Sequence, residues 1–439
     1  MVARQRTQAT PFPKEELVSQ DTFNKALAVG RPPNVVRNFP NSQALIVSGK
    51  VIDRAMLAKG QAMTIAANGR NIFVIEGALK AAQRANAAII IEIARSESTY
   101  CPTTLWNIAR RVDYLCNMHN ITVPVAVHAD HYFMKKWDDV PVAKAEISSV
   151  FDAGVTSIAI DASHMTDDLN LLANIEVSSS IPSWAGYETE IGEIKGEFGL
   201  STPVEAKYLC QGLNAHGLCP DWIALNNGTT HGIEASGEGI QVDVTAEIHE
   251  ALKAYGTSGA QHGTSGNDSA RLREIAAKTK TTKANVATAL QMIGWGVKVN
   301  DFGNAIMTDD GRFDKVPGEG LQDALWEEMV AYADANDIHG GNYKKLNLPF
   351  ERRWQGQDAT SRDRMAKAVE DFVHHLLVDV FNADGTADIA CDLILEAGSY
   401  DLGAKAEQFE DPAEWTEEKI KARAAAIDTD KGPEGDFDD

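Results

Sequence analysis

Short apolar runs recur along the chain from about residue 60 onward. Each run ends in a polar or glycine-bearing turn, and a stretch with helical spacing follows it. These runs predict strands at Ala62–Asn68, Ala87–Ala94, Val123–Asp130, Thr156–Asp161, Trp184–Gly192, Asp221–Asn226, Ser258–Gly263 and Gly296–Asn300. Amphipathic helices are predicted between them, at Asn71–Asn86, Thr103–His119, Val142–Ala153 and Val204–His216. Strands alternating with helices imply parallel pairing through βαβ crossovers. Eight repeats predict an α/β fold closed into a (β/α)8 TIM barrel rather than an open sheet.

The flanks read differently. Residues 1–60 carry Pro11, Pro13, Pro32, Pro33 and Pro40 and form an N-terminal extension, with one helix predicted at Lys14–Ala28. The barrel is expected over residues 61–385. A helical insertion is expected near residues 268–293, and an amphipathic helix at Ser361–Phe381. A helical C-terminal extension follows over 386–427. The last stretch, 428–439, is acidic and poor in apolar residues, and is expected to be a disordered tail.

Composition narrows the function. The 439 residues hold 41 Lys+Arg against 63 Asp+Glu, a formal charge of −22. That field argues against nucleic acid or an anionic membrane as partner. A phosphorylated substrate would need local basic groups to overcome it. The five cysteines are scattered and odd in number, which points to a reducing, cytoplasmic setting rather than a disulfide framework. Cys210, His216 and Cys219 match no common zinc spacing. The N-terminus lacks the apolar core of a secretory leader. The longest apolar run, at Ala87–Ile91, is far short of the ~20 residues that span a bilayer.

In a TIM barrel the chemistry gathers at the C-terminal ends of the strands. Those ends are unusually polar here: Asn68, Asp130 and His131, Asp161 with Ser163 and His164, Glu190, Asn226 with Gly228 and His231, His262, and Asn300. His131, His231 and His262 are candidate ligands for a divalent ion such as Zn2+, which would leave a position open for a substrate oxygen. Asp130, beside His131, is placed to move a proton, or else to orient an imidazole. Glycine-bearing turns at 227–232, 262–266 and 301–304 can offer backbone N–H groups to a phosphate. No Walker loop, dinucleotide-binding glycine pattern or nucleophile elbow occurs.

The fragments VHADH (127–131), SIAIDASHMTDDLNLLANIE (157–176), YETEIGEIKGE (187–197), GTTHGI (228–233), QHGTSG (261–266) and GVKVN (296–300) occur in an order that resembles the class II, metal-dependent fructose-bisphosphate aldolases. GNYKKLNLPFERRW (341–354) resembles their longer, dimeric subgroup. The resemblance implies a zinc lyase of carbohydrate metabolism and glycolysis. Such an enzyme reversibly cleaves a ketose phosphate, fructose 1,6-bisphosphate foremost, to dihydroxyacetone phosphate and glyceraldehyde 3-phosphate through a metal-stabilised enediolate. It assigns zinc to His131, His231 and His262, with Asp161 and Glu190 in the metal neighbourhood. Asp130 becomes the proton-transfer group at the C4 hydroxyl, and Glu197 a second one on a loop. Asn68, Gly228, Gly232, Gly263, Ser265 and Asn300 would bind substrate, with a monovalent cation nearby, and Arg352 would reach a neighbouring subunit's site in a homodimer or higher homo-oligomer.

The chain also departs from the family pattern. The family continues Lys-x-Asn with an acidic and hydroxyl run, whereas Asp301-Phe302-Gly303-Asn304 follows Asn300. Phe198 follows Glu197 where an acidic cluster is usual, and Ala94 stands near a usual Ser. These changes bear on the substrate, and tagatose 1,6-bisphosphate is an alternative. They also motivate a different class of reading, a non-catalytic barrel subunit supporting a partner enzyme. A metal-dependent hydrolase on the same barrel leaves the glycine-rich turns without a purpose.

Overall fold

The computed structural model describes residues 18–192, 199–229, 239–264, 267–300, 303–308 and 311–427. Nine strands form among the described residues: β1 (Ile46–Val47), β2 (Thr64–Asn68), β3 (Ile89–Ala94), β4 (Val125–Phe133), β5 (Ser157–Asp161), β6 (Gly186–Ile191), β7 (Trp222–Leu225), β8 (Ser258–Gln261) and β9 (Thr281–Val286). Each of β2 to β8 pairs parallel with the next strand up to β9, and β9 pairs parallel with β2. The sheet therefore closes, and β2 to β9 are the eight strands of a TIM barrel. β1 adds a short pairing to β4.

Every residue of β2, β3 and β5 to β8 is buried. One face fills the barrel and the other lies under helices, which is why β2, β3, β5 and β7 read as apolar runs, whereas β6 and β8 bury the polar groups of Glu188, Glu190 and Gln261. The helices start and stop on local signals. Asn71 caps helix Ile72–Ala85 by accepting from the N–H groups of Phe73 and Val74, and Asn86 ends it in the left-handed region. Thr202 and Glu205 form a reciprocal capping box on helix Pro203–Ala215.

Seven of the eight expected strands lie where the apolar runs fall. The eighth does not. Gly296–Asn300 belongs to an antiparallel excursion, with bridges from Val297 to Lys315 and from Val299 to Ala305. The barrel is completed instead by β9, inside the segment read as a helical insertion. Its sequence, TTKANV, hides it: Lys283 and Asn285 carry polar groups into the barrel and break the apolar pattern.

The excursion from the barrel is residues 296–358, not 268–293. It leaves after helix Thr288–Trp295 and returns as helix Ala359–His375, and it has a core of its own around Trp295, Phe313, Trp326, Tyr343 and Trp354. Helix Ala359–His375 packs on helix Ile72–Ala85 at Gly77, where an added Cβ would lie 2.5 Å from the Ala366 carbonyl oxygen.

Both extensions serve the barrel. Helix Gly49–Lys59 packs against β4, β6 and β9, and its Asp53 accepts from Thr282 of β9. Lys405 of the C-terminal segment reaches the same Asp53 and donates to Ser258 Oγ. Trp415 and Ile420 bury themselves against Tyr208 and Leu213. Cys210, His216 and Cys219 have separate partners (Thr257, the Trp415 carbonyl and the Ala406 carbonyl) and do not converge on one point. The acidic stretch 428–439 lies outside the described residues. No helix among the described residues is long and apolar enough to cross a membrane.

Candidate active site and metal centre

β4 contributes three polar side chains, His128, Asp130 and His131. Alternation along a strand sends adjacent residues to opposite faces. A bulge between Ala129 and Tyr132 breaks that alternation, because β4 carries one residue more there than its partner β5. His131 takes φ +40°, uncommon for a residue other than glycine. As a result both Asp130 and His131 offer ligand atoms that lie within 4.8 Å of His262 and of each other.

The rings of His131 and His262 are 4.4 Å apart, centroid to centroid. His131 Nδ1 lies 3.3 Å from Glu190 Oε1 and 3.6 Å from Asp161 Oδ2, and His262 Nδ1 lies 3.7 Å from Glu190 Oε2. Burial and the Asp161 carboxylate push the Glu190 carboxyl up to about 7. Burial also opposes ionisation of Asp130, but Lys283 and the surrounding imidazoles outweigh it and hold this carboxyl well below its usual range. Asp161 is held low as well, by a hydrogen bond and charge from His131 and by Ser163, against its burial.

The tautomer of His262 follows from its neighbour. Its Nε2 is 3.1 Å from Glu188 Oε1. Against burial, Lys283 and the hydrogen bond to His262 lower the Glu188 carboxyl to about 2, so it is an ionised acceptor. The imidazole donates from Nε2, and in the neutral ring this leaves the lone pair on Nδ1. Nδ1 is buried without a hydrogen-bond partner among the described residues, as is Glu190 Oε1. Two imidazoles, a carboxylate and orphaned buried donor atoms fit a divalent cation, with Glu188 as the outer carboxylate that orients a ligand.

The remaining expected residues divide. Asn68 is buried at the end of β2 and donates to Glu97 Oε2 (2.6 Å), while its own carbonyl oxygen has no partner among the described residues. Gly228 (φ +96°) and Gly263 (φ +58°) form the turns after β7 and β8. Asn300 is exposed and closes a turn by accepting from the Asn304 N–H. It is not at a barrel strand end; with Thr264, Val286 and His375 it lines a side cavity of about 500 Å3. Arg352 is exposed on helix Asn347–Gln355. Glu197, Phe198, His231, Gly232, Ser265 and Phe302 lie outside the described residues.

Several members of the site were not singled out in the sequence. Lys283 and Asn285 both reach Asp130, and Arg70 pairs with Glu97 at 2.6 Å while pointing toward Thr288 Oγ1. The Lys-x-Asn spacing was the available signal, and it occurs three times, at Lys283, Lys298 and Lys345. Lys298-Val299-Asn300 is the most strand-like copy, yet Lys283-Ala284-Asn285 is the one on a barrel strand. In that register Asn285 is followed by Val286-Ala287-Thr288-Ala289, with one hydroxyl and no acidic residue.

The sequence profile of fructose-bisphosphate aldolase class-II matches residues 50–332. The chain belongs to that family. It is thus an aldolase, a carbon–carbon lyase of the metal-dependent class. A fructose-bisphosphate aldolase of Streptococcus pneumoniae is 26% identical over 291 residues, covering 63% of this chain and 92% of that protein. One from Staphylococcus epidermidis is 28% identical over 135 residues, or 30% of this chain and 42% of that one. Among solved structures, the YdjI aldolase of Escherichia coli K12 shares the fold with TM-score 0.53 and 17% identity, over 78% of this chain and 99% of that one. A putative fructose-1,6-bisphosphate aldolase of Coccidioides immitis gives TM-score 0.52 and 17% identity, over 77% and 97%.

Proposed function

We propose that this class II aldolase is zinc-dependent and cleaves fructose 1,6-bisphosphate to dihydroxyacetone phosphate and glyceraldehyde 3-phosphate. The observation that carries this reading is the convergence of His131, His262 and Glu190 beside an ionised Asp130. His131, His262 and the family-matched His231 would hold a divalent ion, and that ion would supply Lewis acidity at the substrate's C2 carbonyl. Asp130 takes the C4 hydroxyl proton as the C3–C4 bond breaks, and the bonding pair passes toward C2. The carbonyl oxygens of Asn68 and Asn285, without partners among the described residues, are acceptors for substrate hydroxyls. Glu197 then delivers a proton to C3. The turns of Gly228 and Gly263, together with Gly232 and Ser265, hold the ketone-end phosphate with a monovalent cation nearby, and Arg352 reaches the other phosphate from the second subunit of a homodimer. Cytoplasmic glycolysis is the setting this chemistry fits.

The test is a cleavage assay over ketose mono- and bisphosphates with added zinc. Fructose 1,6-bisphosphate is expected to be cleaved fastest. Preference for tagatose 1,6-bisphosphate or a monophosphate would overturn the substrate assignment, and full activity after chelation would overturn the metal.

A further inference from the structure

Lys283 lies under the site on β9 and is fully buried. Its Nζ is 2.8 Å from Glu188 Oε2, 3.1 Å from His128 Nε2 and 3.3 Å from Asp130 Oδ1, and Glu92 Oε2 stands at 3.5 Å. An ammonium has three protons, and three acceptors are within hydrogen-bond reach. The acceptors have second duties. Glu188 gives its other oxygen to the Nε2–H of His262. Asp130 Oδ1 also accepts from Asn285 Nδ2 at 3.0 Å, so Oδ2 is the oxygen left on the His131 side.

We propose that Lys283 is a positioning residue that joins the two halves of the site: one ammonium orients the Asp130 carboxylate and, through Glu188, aims the Nδ1 lone pair of His262 at the metal position. This rests on the aldolase reading above. The competing account is that Lys283 only neutralises buried carboxylates. That role would be felt in stability alone, because removing one member of a buried charged cluster is costly wherever it lies. Positioning is felt in metal affinity and in turnover.

Two variants, Lys283→Met and Lys283→Gln, separate the accounts. Cobalt(II) is titrated into each metal-free protein by visible absorption, kcat and KM are measured with saturating zinc, and urea unfolding gives stability. Positioning predicts cobalt affinity lower by roughly 10–100-fold, the usual worth of a partner behind a ligand. It also predicts a kcat lower by about 100-fold or more with KM nearly unchanged. Wild-type cobalt affinity and spectrum in folded variants would overturn it. The wild-type protein provides an arm that needs no variant, a crystal structure with zinc bound. Zinc on His262 Nδ1, with Nε2 on Glu188 and Lys283 bonded to both Glu188 and Asp130, is expected. Zinc on Nε2, or Lys283 withdrawn from Asp130, would overturn the proposal. If no ketose phosphate is cleaved, the aldolase reading fails by itself, and the cobalt and crystallographic arms still judge Lys283.

Discussion

Asp130 and His131 are consecutive on β4, yet both turn toward His262. The bulge between Ala129 and Tyr132 is what permits it, and it places a carboxylate next to an imidazole on one strand. The separation of roles between these neighbours can be measured.

Asp130→Asn keeps the side-chain shape and removes the base. Its kcat should fall by about 10²–10⁴, the range for a lost acid–base group, while bound zinc stays near the wild-type amount. Steady-state kinetics with metal analysis checks this; near-normal turnover would take Asp130 out of the mechanism.

His262→Ala removes the imidazole whose lone pair is left over once Glu188 has taken Nε2–H. Zinc affinity should drop by more than the roughly 10–100-fold that an outer partner is worth. Competition with a chelator of known affinity reads the change directly, and an unchanged zinc affinity would remove His262 from the ligand set.

Glu190 gives the metal-free protein a pH dependence with a definite sign. Burial and Asp161 raise its folded-state value to about 7 from an ordinary 4.5. Between those values the folded chain holds a proton that the unfolded chain has released, so stability from this group is complete below 4.5 and is lost as pH rises through 7. The whole effect is worth roughly 3 kcal/mol, at ~1.4 kcal/mol per pH unit. Glu190→Gln, which cannot ionise, should therefore gain on the wild type as pH increases from 5 to 8 (a window set by about one pH unit around those values). Urea denaturation of both proteins without metal tests it, and parallel curves would refute the assignment.

Gly77→Ala should destabilise despite the better helix propensity of alanine, worth about 1 kcal/mol. The new Cβ would lie 2.5 Å from the Ala366 carbonyl oxygen and 2.6 Å from Val369 Cβ, both on the facing helix. Overpacking of this kind costs about 1–3 kcal/mol. Thermal or chemical unfolding reads the net sign, and a stabilised variant would show that the two helices part without cost.

The sequence by itself determined the barrel and much of its rim. Seven strands were legible, most of them because parallel strands buried on both faces are rich in apolar residues and β6 and β8 because their short runs keep the strand–helix rhythm, and Asp130, His131, Asp161, Glu190 and His262 stand at or just past strand ends that this pattern marks. Tertiary structure alone decided the eighth strand. TTKANV turns Lys283 and Asn285 into the barrel, and a strand whose inward positions serve the site loses the apolar signature, while GVKVN keeps it and lies elsewhere. It also decided that adjacent Asp130 and His131 share a cavity, since a bulge is a mismatch between two strands. One chain segment carries no record of its partner's length. The charge state of Glu188 and the lone pair of His262 are likewise set by Lys283, nearly a hundred residues from Glu188, because electrostatic coupling follows distance in space rather than along the chain.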